Sequence, residues 1–248
     1  MITDKEMYRF IITKPLSARE NMAIDEALLT CFDDKALPIF RLYCWEEDSV
    51  TIGASQNIET YDHLNREKIA KRVTGGGVLF HGHDLSYSLI IPTDAICTLN
   101  VKESYETLCT FLFHFYERLE LAPVYVKDDS SVHLFKDAYC QVGFEAYDIL
   151  IHGKKIGGNA QRRTKKAIFQ HGSIPILKTK AQRQIGFSLR DVGIDLSISE
   201  AIVLLGDSFE ETFNLSLEES RLTEEEEKIK ELLLKGKYHY GIKQENKF

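Results

Sequence analysis

Two glycine-rich segments, each accompanied by cations and a histidine, constrain this chain more than any other feature of its sequence. The first is KRVTGGGVLFH, residues 71–81, and the second is GKKIGGNAQRRTKKAIFQHGS, residues 153–173. Consecutive glycines leave backbone N–H groups unshielded by a Cβ atom, so the charged oxygens of a ligand can approach them closely. Two such segments in one chain predict a cleft for an activated carboxylic acid.

The charge and hydrophobicity of the chain argue against two classes of partner. The 248 residues carry a net charge of −7 at pH 7, whereas generic nucleic-acid binding usually needs a basic face. No apolar run approaches the roughly 20 residues that span a bilayer, and the N-terminus lacks the apolar core of a signal peptide. We therefore expect a cytoplasmic protein that binds neither nucleic acid nor membrane. Six cations within residues 154–166 suit a specific anionic partner.

The cysteines do not form a disulfide or zinc pattern. Their number is odd and no two are spaced as CxxC, which is unlike a disulfide framework or a zinc ribbon. The histidines also lack the spacing of metal ligands. We expect no metal site and a reducing compartment. The five cysteines are Cys31, Cys44, Cys97, Cys109 and Cys140.

Hydrophobic periodicity predicts a mixture of strands and helices. Strands are predicted at residues 7–12, 38–43, 49–52, 124–126, 147–151 and 167–174, with a hairpin formed by 78–80 and 86–91. Helices are predicted at 17–32, where Ser17 and Glu20 form a capping box, and at 59–69, 101–119, 200–213 and 223–234. The helix at 101–119 is amphipathic and rich in aromatic residues, and residues 152–154 are predicted to form a tight turn. The pattern is helical from residue 189 onward, and the loop at 178–185 is the nearest candidate for a boundary. The order lacks regular βαβ repeats, so we predict an α+β fold with a central mixed sheet flanked by helices.

Five blocks of the sequence carry a family resemblance. They are NMAIDEALL at 21–29, RLYCW at 41–45, TIGASQN at 51–57, KRVTGGGVLFHGHDLSYS at 71–88 and YDILIHGKKIGGNAQRRTKKAIFQHGSI at 147–174. With these blocks the chain resembles the catalytic-domain superfamily of biotin and lipoate protein ligases, on its lipoate side. The resemblance implies that superfamily's fold, as a single catalytic domain over residues 1–248 with a C-terminal helical extension from about residue 189.

The superfamily has two lipoate-type chemistries, and the resemblance leaves both open. Octanoyltransferases pass octanoyl from acyl carrier protein to a lysine of a lipoyl domain or of glycine-cleavage H protein. One branch uses a cysteine acyl-enzyme and needs no cofactor. Lipoate–protein ligases use ATP and Mg²⁺ to make lipoyl-adenylate and then modify the same lysine. A non-catalytic relative that binds lipoylated proteins is a third interpretation. A monomer is sufficient for either chemistry.

Four features bear on the choice between the two chemistries. Cys140 precedes Lys155 by fifteen residues, a spacing similar to that of the ligase-like octanoyltransferases. The short interval from His81 to Leu85 resembles the same branch. The chain also ends soon after the matching blocks, which fits a transferase. Gly77 points the other way, because it completes a glycine triplet that resembles the ligases. We take the octanoyltransferase as the leading hypothesis and the ligase as the alternative.

The resemblance assigns Cys140 and Lys155 to catalysis. Cys140 would be the nucleophile, although a lone cysteine is more often a buried small hydrophobe. Lys155 would contact the acyl carbonyl, where a cation stabilises the developing oxyanion. Arg72 lines the activated-acyl site in the ligase interpretation, and Thr74 is either a turn residue or a hydroxyl donor.

The other candidate residues would bind substrate. His81 is either a buried histidine or a group that receives the incoming lysine or its proton. His171 is favoured as structural, with its neighbours lining the pocket. The glycines of both segments would form a backbone wall, and the two amide side chains would bind the carbonyl or adenylate. The binding set beyond Arg72, Thr74 and His81 is Gly75, Gly76, Gly77, Gly157, Gly158, Asn159, Gln161, His171, Gly172 and Ser173.

Overall fold

The computed structural model describes residues 5–33, 35–135, 140, 142–177 and 186–239. Its strands are β1 (Met7–Leu16), β2 (Ile39–Trp45), β3 (Val50–Ile52), β4 (Ile69–Lys71), β5 (Leu79–Phe80), β6 (Asp84–Pro92), β7 (Val124–Tyr125), β8 (Ile149–Ile151), β9 (Lys154–Lys155), β10 (Gly158–Arg163), β11 (Ala167–Pro175) and β12 (Ser216–Glu219). Its α-helices are α1 (Ala18–Cys31), α2 (Val101–Glu117), α3 (Ile198–Phe213) and α4 (Glu224–Lys235).

A six-stranded mixed sheet forms the centre of the molecule, in the order β10-β11-β6-β2-β1-β12. Strand β1 pairs in parallel with β2 and β12. The pairs β2-β6, β6-β11 and β11-β10 are antiparallel. Short strands form two further sheets, β4-β3-β5 and β7-β8-β9. The prediction of a central mixed sheet is confirmed.

Helices cover both faces of the central sheet because its strands are apolar on both sides. On β6, Leu89 belongs to a core that includes Phe111 of α2 and Phe209 of α3. The next residue, Ile90, belongs to a different core with Ile24 of α1. Successive side chains of a strand point to opposite faces, so the continuous apolar run of β6 needs cover on both sides.

Helix α1 begins where the sequence predicts. The Ser17 hydroxyl accepts a hydrogen bond from the Glu20 N–H, and the Glu20 carboxylate accepts one from the Ser17 N–H. This reciprocal capping box satisfies backbone donors that the first turn of a helix leaves unpaired. The predicted helix start is therefore confirmed.

A buried ion pair joins α1 to β2. Arg41 Nη1 lies 2.6 Å from Asp25 Oδ1, and both side chains are almost fully excluded from solvent. Arg41 Nη2 also donates to Asn21 Oδ1 at 2.6 Å. The Asp25 carboxylate accepts from Tyr43 at 3.0 Å and from Ser88 at 2.9 Å. These contacts explain why Asn21 and Asp25 occupy the buried face of an otherwise apolar helix stripe.

Two sequence predictions between β3 and β6 are wrong. Residues 59–69 form 3₁₀ turns at Ile58–Tyr61 and Arg66–Lys68 instead of one helix. The side chains of Asn57 and Asn65 accept the N–H groups at the start of these turns. Asparagine competes for backbone donors in this way and so begins a new turn where a longer helix would continue.

The predicted hairpin of residues 78–80 and 86–91 is also wrong. Strand β5 pairs with β3, whereas β6 pairs with β2 and β11. The connection folds around Asp84, whose carboxylate accepts from the Gly82 N–H at 3.2 Å and contacts His81 Nδ1 at 2.8 Å. These bonds turn the chain from the small sheet into the central one.

The helical pattern predicted from residue 189 onward is interrupted by β12, a strand that the sequence pattern did not predict. This strand is short and lies at the sheet edge beside β1, with two exposed glutamates at its end. A short polar edge strand lacks the apolar alternation by which strands are recognised. The candidate boundary at 178–185 lies outside the described residues.

We expect Arg41→Met to lower the free energy of unfolding by about 3–5 kcal/mol, because the Asp25 carboxylate would stay buried without its cation. Urea unfolding followed by circular dichroism measures the change. Arg66→Met is the matched control, since it removes the partner of the exposed Glu59 carboxylate and should have a much smaller effect. Equal losses in the two variants would contradict this view of the α1–β2 contact.

Candidate active site

A cavity of about 500 Å³ brings the two glycine-rich segments together. Its size is in the range of small-molecule sites. Thr74 is buried outside its lining, with its hydroxyl 2.6 Å from His171 Nε2. The other residues singled out from the sequence all line the cavity: Cys140, Lys155, Arg72, Gly75, Gly76, Gly77, His81, Gly157, Gly158, Asn159, Gln161, His171, Gly172 and Ser173.

The Cys140 thiol faces the end of the first glycine segment. The Gly77 N–H donates to Sγ at 2.8 Å, and Arg72 Nη2 lies 3.9 Å from the same sulfur. The Cys140 N–H donates to the Val78 carbonyl at 2.9 Å, so its backbone is held by the same segment. The sulfur thus has a hydrogen-bond donor and a cation beside it, the partners that stabilise negative charge in acyl transfer.

A tight hairpin places Lys155 in the cavity wall. Strands β8 and β9 are joined by His152 and Gly153, whose φ angles are 51° and 71°. Two successive residues with positive φ are the signature of the type I′ turn, whose twist matches that of the paired strands. The tight turn predicted at residues 152–154 is confirmed.

The Lys155 ammonium is held by three acceptors. Nζ donates to the carbonyls of Cys140 at 2.6 Å and Gly143 at 2.7 Å, and it lies 2.6 Å from Asp148 Oδ2. An ammonium has three hydrogens, so this group must exchange a partner before it can bind a substrate carbonyl. In the structure it holds the backbone at Cys140 and Gly143.

Gly76 in the first segment and Gly157 in the second each occupy a position that requires glycine. Gly76 has φ 102°, and a Cβ atom there would lie 2.9 Å from Arg72 Nη2 and 3.2 Å from Cys140 Sγ. Gly157 has φ 101°, and its Cβ would lie 2.5 Å from the Ser173 carbonyl oxygen. L-residues rarely adopt such φ values, so both the backbone conformation and the close approach exclude a side chain.

Arg72 is buried and turned towards the first glycine segment. Nη2 donates to the carbonyls of Gly77 at 2.8 Å and Gly75 at 3.1 Å, while Nη1 donates to Thr51 Oγ1 at 2.8 Å. Burial lowers the pKa of Arg72, and the Cys140 sulfur opposes that shift. The guanidinium therefore organises the glycine carbonyls and remains next to the sulfur.

His81 lies behind Arg72 as the middle of a polar chain. Nε2 is 2.8 Å from Thr51 Oγ1 and Nδ1 is 2.8 Å from Asp84 Oδ2, while the ring stacks on Trp45 with centroids 3.7 Å apart. Burial lowers the pKa of His81 although Asp84 opposes it. Burial alone would raise the pKa of Asp84, but His81 and the other hydrogen-bond partners hold it below its usual range.

His171 occupies a second buried network and fits the structural role favoured from the sequence. Nδ1 lies 3.8 Å from Asp25 Oδ2, and Nε2 contacts the Thr74 hydroxyl. Burial lowers its pKa despite the neighbouring Asp25 carboxylate. His171 thereby connects the cavity wall to the α1–β2 ion pair.

The amide side chains of the second segment are also engaged. Asn159 Oδ1 accepts from the Tyr87 hydroxyl at 2.7 Å, and Gln161 Nε2 donates to Gln170 Oε1 at 2.7 Å. Ser173 donates to Asp84 Oδ2 at 2.6 Å. These bonds fix the cavity wall.

Three site residues lay inside the recognised blocks but received no role from the sequence. Asp148 pairs with Lys155, Thr51 contacts both Arg72 and His81, and Asp84 accepts from His81. Burial raises the pKa of Asp148, and Lys155 opposes that rise. The sequence did contain a signal for Asp148 and Asp84, because each stands at the start of an apolar strand. A carboxylate that is buried with such a strand needs a polar partner.

The cavity also contains groups that could contact a phosphate. Among the described residues, the lysine and arginine side chains that line the cavity are Lys155 and Arg72. The first is paired with Asp148 and the second lies beside Cys140. Within the same ranges no group of three or more His, Cys, Asp or Glu side chains converges as a metal site. Arg72 and the glycine amides are the groups that would face a phosphate.

Sequence comparisons place the chain among enzymes of protein lipoylation. A family model described as the lipoyl protein ligase A/B catalytic domain matches residues 17–180. Octanoyltransferase LipM of Bacillus cereus is 30% identical over 267 residues, covering 94% of this chain and 96% of the relative. Octanoyltransferase LipM of Brevibacillus brevis is 29% identical over 270 residues, with the same coverage of both chains.

Solved structures agree with the fold. A lipoate-protein ligase A bound with ATP has a TM-score of 0.75 and 26% identity, covering 94% of this chain and 96% of that one. A lipoate protein ligase-like protein from T. acidophilum with bound lipoic acid has a TM-score of 0.76 and 25% identity, covering 92% and 95%. The fold expected from the resemblance is confirmed. No helix in the described ranges is both long and apolar enough to cross a bilayer.

Gly76→Ala should lower the free energy of unfolding by about 1–3 kcal/mol, because alanine is strained at positive φ and its Cβ would press on Arg72 and Cys140. Urea unfolding measures the loss. Gly75→Ala is the matched control, since a Cβ at Gly75 meets nothing within 4 Å. The close packing of this turn would be disproved by equal losses at the two glycines.

Stability should fall as the pH drops from about 6.5, the ordinary histidine pKa. The pKa values of His81 and His171 are lowered in the folded state, so the unfolded chain binds more protons there and acid favours unfolding. Asp84 and Asp25, whose pKa values are also lowered, extend the loss below about 3.9. Asp148 acts oppositely because its pKa is raised.

Urea midpoints at pH 7.5 and 5.5 measure this acid sensitivity. The midpoint of the unaltered protein should be lower at pH 5.5, and His171→Gln should narrow the difference between the two values. A midpoint that is equal or higher at pH 5.5 would show that the buried histidines do not control stability in this range.

Proposed function

Because the chain belongs to the lipoyl protein ligase A/B catalytic-domain family, we propose that it is an octanoyltransferase of protein lipoylation that works through Cys140. Its relatives named octanoyltransferase LipM support the acyltransferase class. The observation that carries the proposal is the position of the Cys140 sulfur, which meets the Gly77 N–H and Arg72 at the wall of the cavity.

In the first step the Cys140 thiolate attacks the carbonyl carbon of an octanoyl thioester on acyl carrier protein. A carbon–sulfur bond forms, the oxyanion collapses, and the thiolate of the donor leaves and takes a proton. The product is an octanoyl thioester on Cys140. The Gly77 N–H is the donor closest to the reacting sulfur.

In the second step the ε-amine of an acceptor lysine attacks this thioester. An amide bond forms, and the Cys140 sulfur leaves as the thiolate that began the first step. The proton lost by the amine passes to solvent and balances the proton taken by the donor thiolate. The acceptor is a lipoyl domain or glycine-cleavage H protein. Lys155 fixes the nucleophile loop, and its predicted contact with the acyl carbonyl requires it to release one of its three acceptors.

The acceptor surface and the domain organisation follow as proposals. Exposed cations on and after β10 suit an acidic carrier domain, and β10 leads directly from the cavity wall. We propose one catalytic domain for the whole chain, supported by the pairing of β12 with β1. The cytoplasmic location stays a prediction from the sequence. The cations are Arg162, Arg163, Lys165 and Lys166.

The alternative is an ATP-dependent lipoate ligase, and it is tested in the same experiment. The full chain is incubated with apo carrier in two tubes. One contains octanoyl-acyl carrier protein without ATP, and the other contains lipoate, ATP and Mg²⁺. Intact mass shows which tube modifies the carrier lysine. Modification only in the second tube would sink the octanoyltransferase proposal.

Cys140→Ser should abolish the thioester acyl-enzyme and slow octanoyl transfer at least about 100-fold. The reason is that a serine hydroxyl is a much weaker nucleophile than a cysteine thiolate. Mass spectrometry of the enzyme after donor addition detects the intermediate. Cys97→Ser is the control, since Cys97 is exposed and outside the cavity lining. Undiminished transfer by Cys140→Ser would refute the assignment.

A further inference from the structure

Arg72 is a buried cation whose partners in the described part of the chain are neutral. Its guanidinium donates to the Thr51 hydroxyl and to the carbonyls of Gly75 and Gly77. No carboxylate among the described residues forms an ion pair with Arg72. The residue is only 6% exposed to solvent. A buried charge without a counter-charge is unfavourable, so this position is built to receive an anion.

Lys155, the other cation at the cavity, differs from Arg72 in this respect. Asp148 neutralises it at 2.6 Å, and the carbonyls of Cys140 and Gly143 take its remaining hydrogens. Its contacts to Cys140 are to the backbone, whereas Arg72 approaches the sulfur itself at 3.9 Å. Within the described residues, the net positive charge beside the sulfur therefore comes from Arg72.

A chain of oriented hydrogen bonds holds Arg72 in place. Burial favours neutral His81, and the Asp84 carboxylate requires the proton on Nδ1. Nε2 is then an acceptor and needs the Thr51 hydroxyl hydrogen. With that hydrogen committed, Thr51 Oγ1 is left as an acceptor for Arg72 Nη1. Each hydrogen bond in this series thus determines the direction of the next hydrogen bond.

We propose that Arg72 is the cation that stabilises the Cys140 thiolate and the oxyanion of its acyl adducts, and that Asp84, His81 and Thr51 position it. The inference rests on the proposed function and gives this charge to Arg72 in place of Lys155. An oxyanion on an adduct is two bonds from Sγ, so it can lie closer to the guanidinium than the sulfur does.

No proton transfer is required of Arg72 in either acyl-transfer step. The guanidinium keeps its protons while the carbon–sulfur bond forms, the negative charge moves from sulfur to the carbonyl oxygen, and the leaving group carries the charge away. Arg72 would contact the reacting atoms and so be a catalytic residue. Thr51, His81 and Asp84 act through it.

Charge-selective alkylation of Cys140 tests the assignment without donor or carrier. The full chain is treated at fixed pH and low salt with anionic iodoacetate or neutral iodoacetamide, and peptide mass spectrometry gives the rate at Cys140. The ratio of the two rates reports the local charge, since the other charged groups of the cavity stay constant. In the part of the chain that the structure describes, those groups are Lys155, Asp148 and Glu145.

Arg72→Gln should lower the iodoacetate-to-iodoacetamide ratio about tenfold, because a unit charge a few ångströms away acts strongly at low salt. Arg72→Lys should retain much of the ratio. Arg118→Gln is the charge-matched control, since Arg118 pairs with Asp207 and Glu211 and does not line the cavity. Circular dichroism and thermal unfolding establish that each variant is folded.

Thr51 provides a test of the positioning chain. Thr51→Val removes the hydroxyl with little change in shape and should lower both the alkylation ratio and the kcat of octanoyl transfer several-fold, with KM little changed. Thr51→Ser keeps the hydroxyl and should restore both. If Thr51 had only a structural role, Thr51→Val and Thr51→Ser would change the stability of the protein. The alkylation ratio would then stay at its wild-type value.

The failures of the two proposals can be told apart. Octanoyl transfer that persists in Cys140→Ser sinks the proposed function. A wild-type alkylation ratio in folded Arg72→Gln overturns the assignment of Arg72, whatever the transfer assay shows. If Arg72→Gln does not fold, an unchanged ratio in Thr51→Val overturns the positioning chain and with it the inference.

Discussion

The contact between the Gly77 amide and the Cys140 sulfur is the interaction on which the site depends. It joins residues 63 positions apart in the chain, and the adjacent bond from Cys140 to Val78 holds the two backbones together. Lys155 secures the Cys140 loop from the other side. Cys140, the proposed nucleophile, therefore lies between two glycine-rich segments, where backbone amides and a cation can stabilise negative charge.

The two cations of this site, Lys155 and Arg72, have different surroundings. Lys155 is neutralised by Asp148 and bound to backbone carbonyls, which is the environment of an anchor. Arg72 has neutral partners and lies beside the sulfur, which is the environment of a cation that can bind an anion. The buried Asp25 carboxylate, like Lys155, is paired with an opposite charge, that of Arg41, and this pair stabilises the fold.

Local patterns of the sequence predicted local structure well. The capping box at Ser17, the aromatic face of α2 and the tight turn before Lys155 depend on neighbours within a few residues. The predicted hairpin is wrong because the Asp84 carboxylate binds His81 and the Gly82 N–H in the connection between β5 and β6. These bonds direct β6 into the central sheet. Strand β12 was missed because its partner, β1, lies at the opposite end of the chain.

The sequence by itself determined the chemical types at the site: glycines that bare the backbone, a cysteine, and a lysine and an arginine close to them. Only the tertiary structure decided which cation faces the sulfur. That choice depends on Asp148, which lies seven residues from Lys155 along the chain but 2.6 Å away in space, and on the approach of Arg72 to Cys140. Charge acts through distance in space, and sequence spacing does not specify that distance.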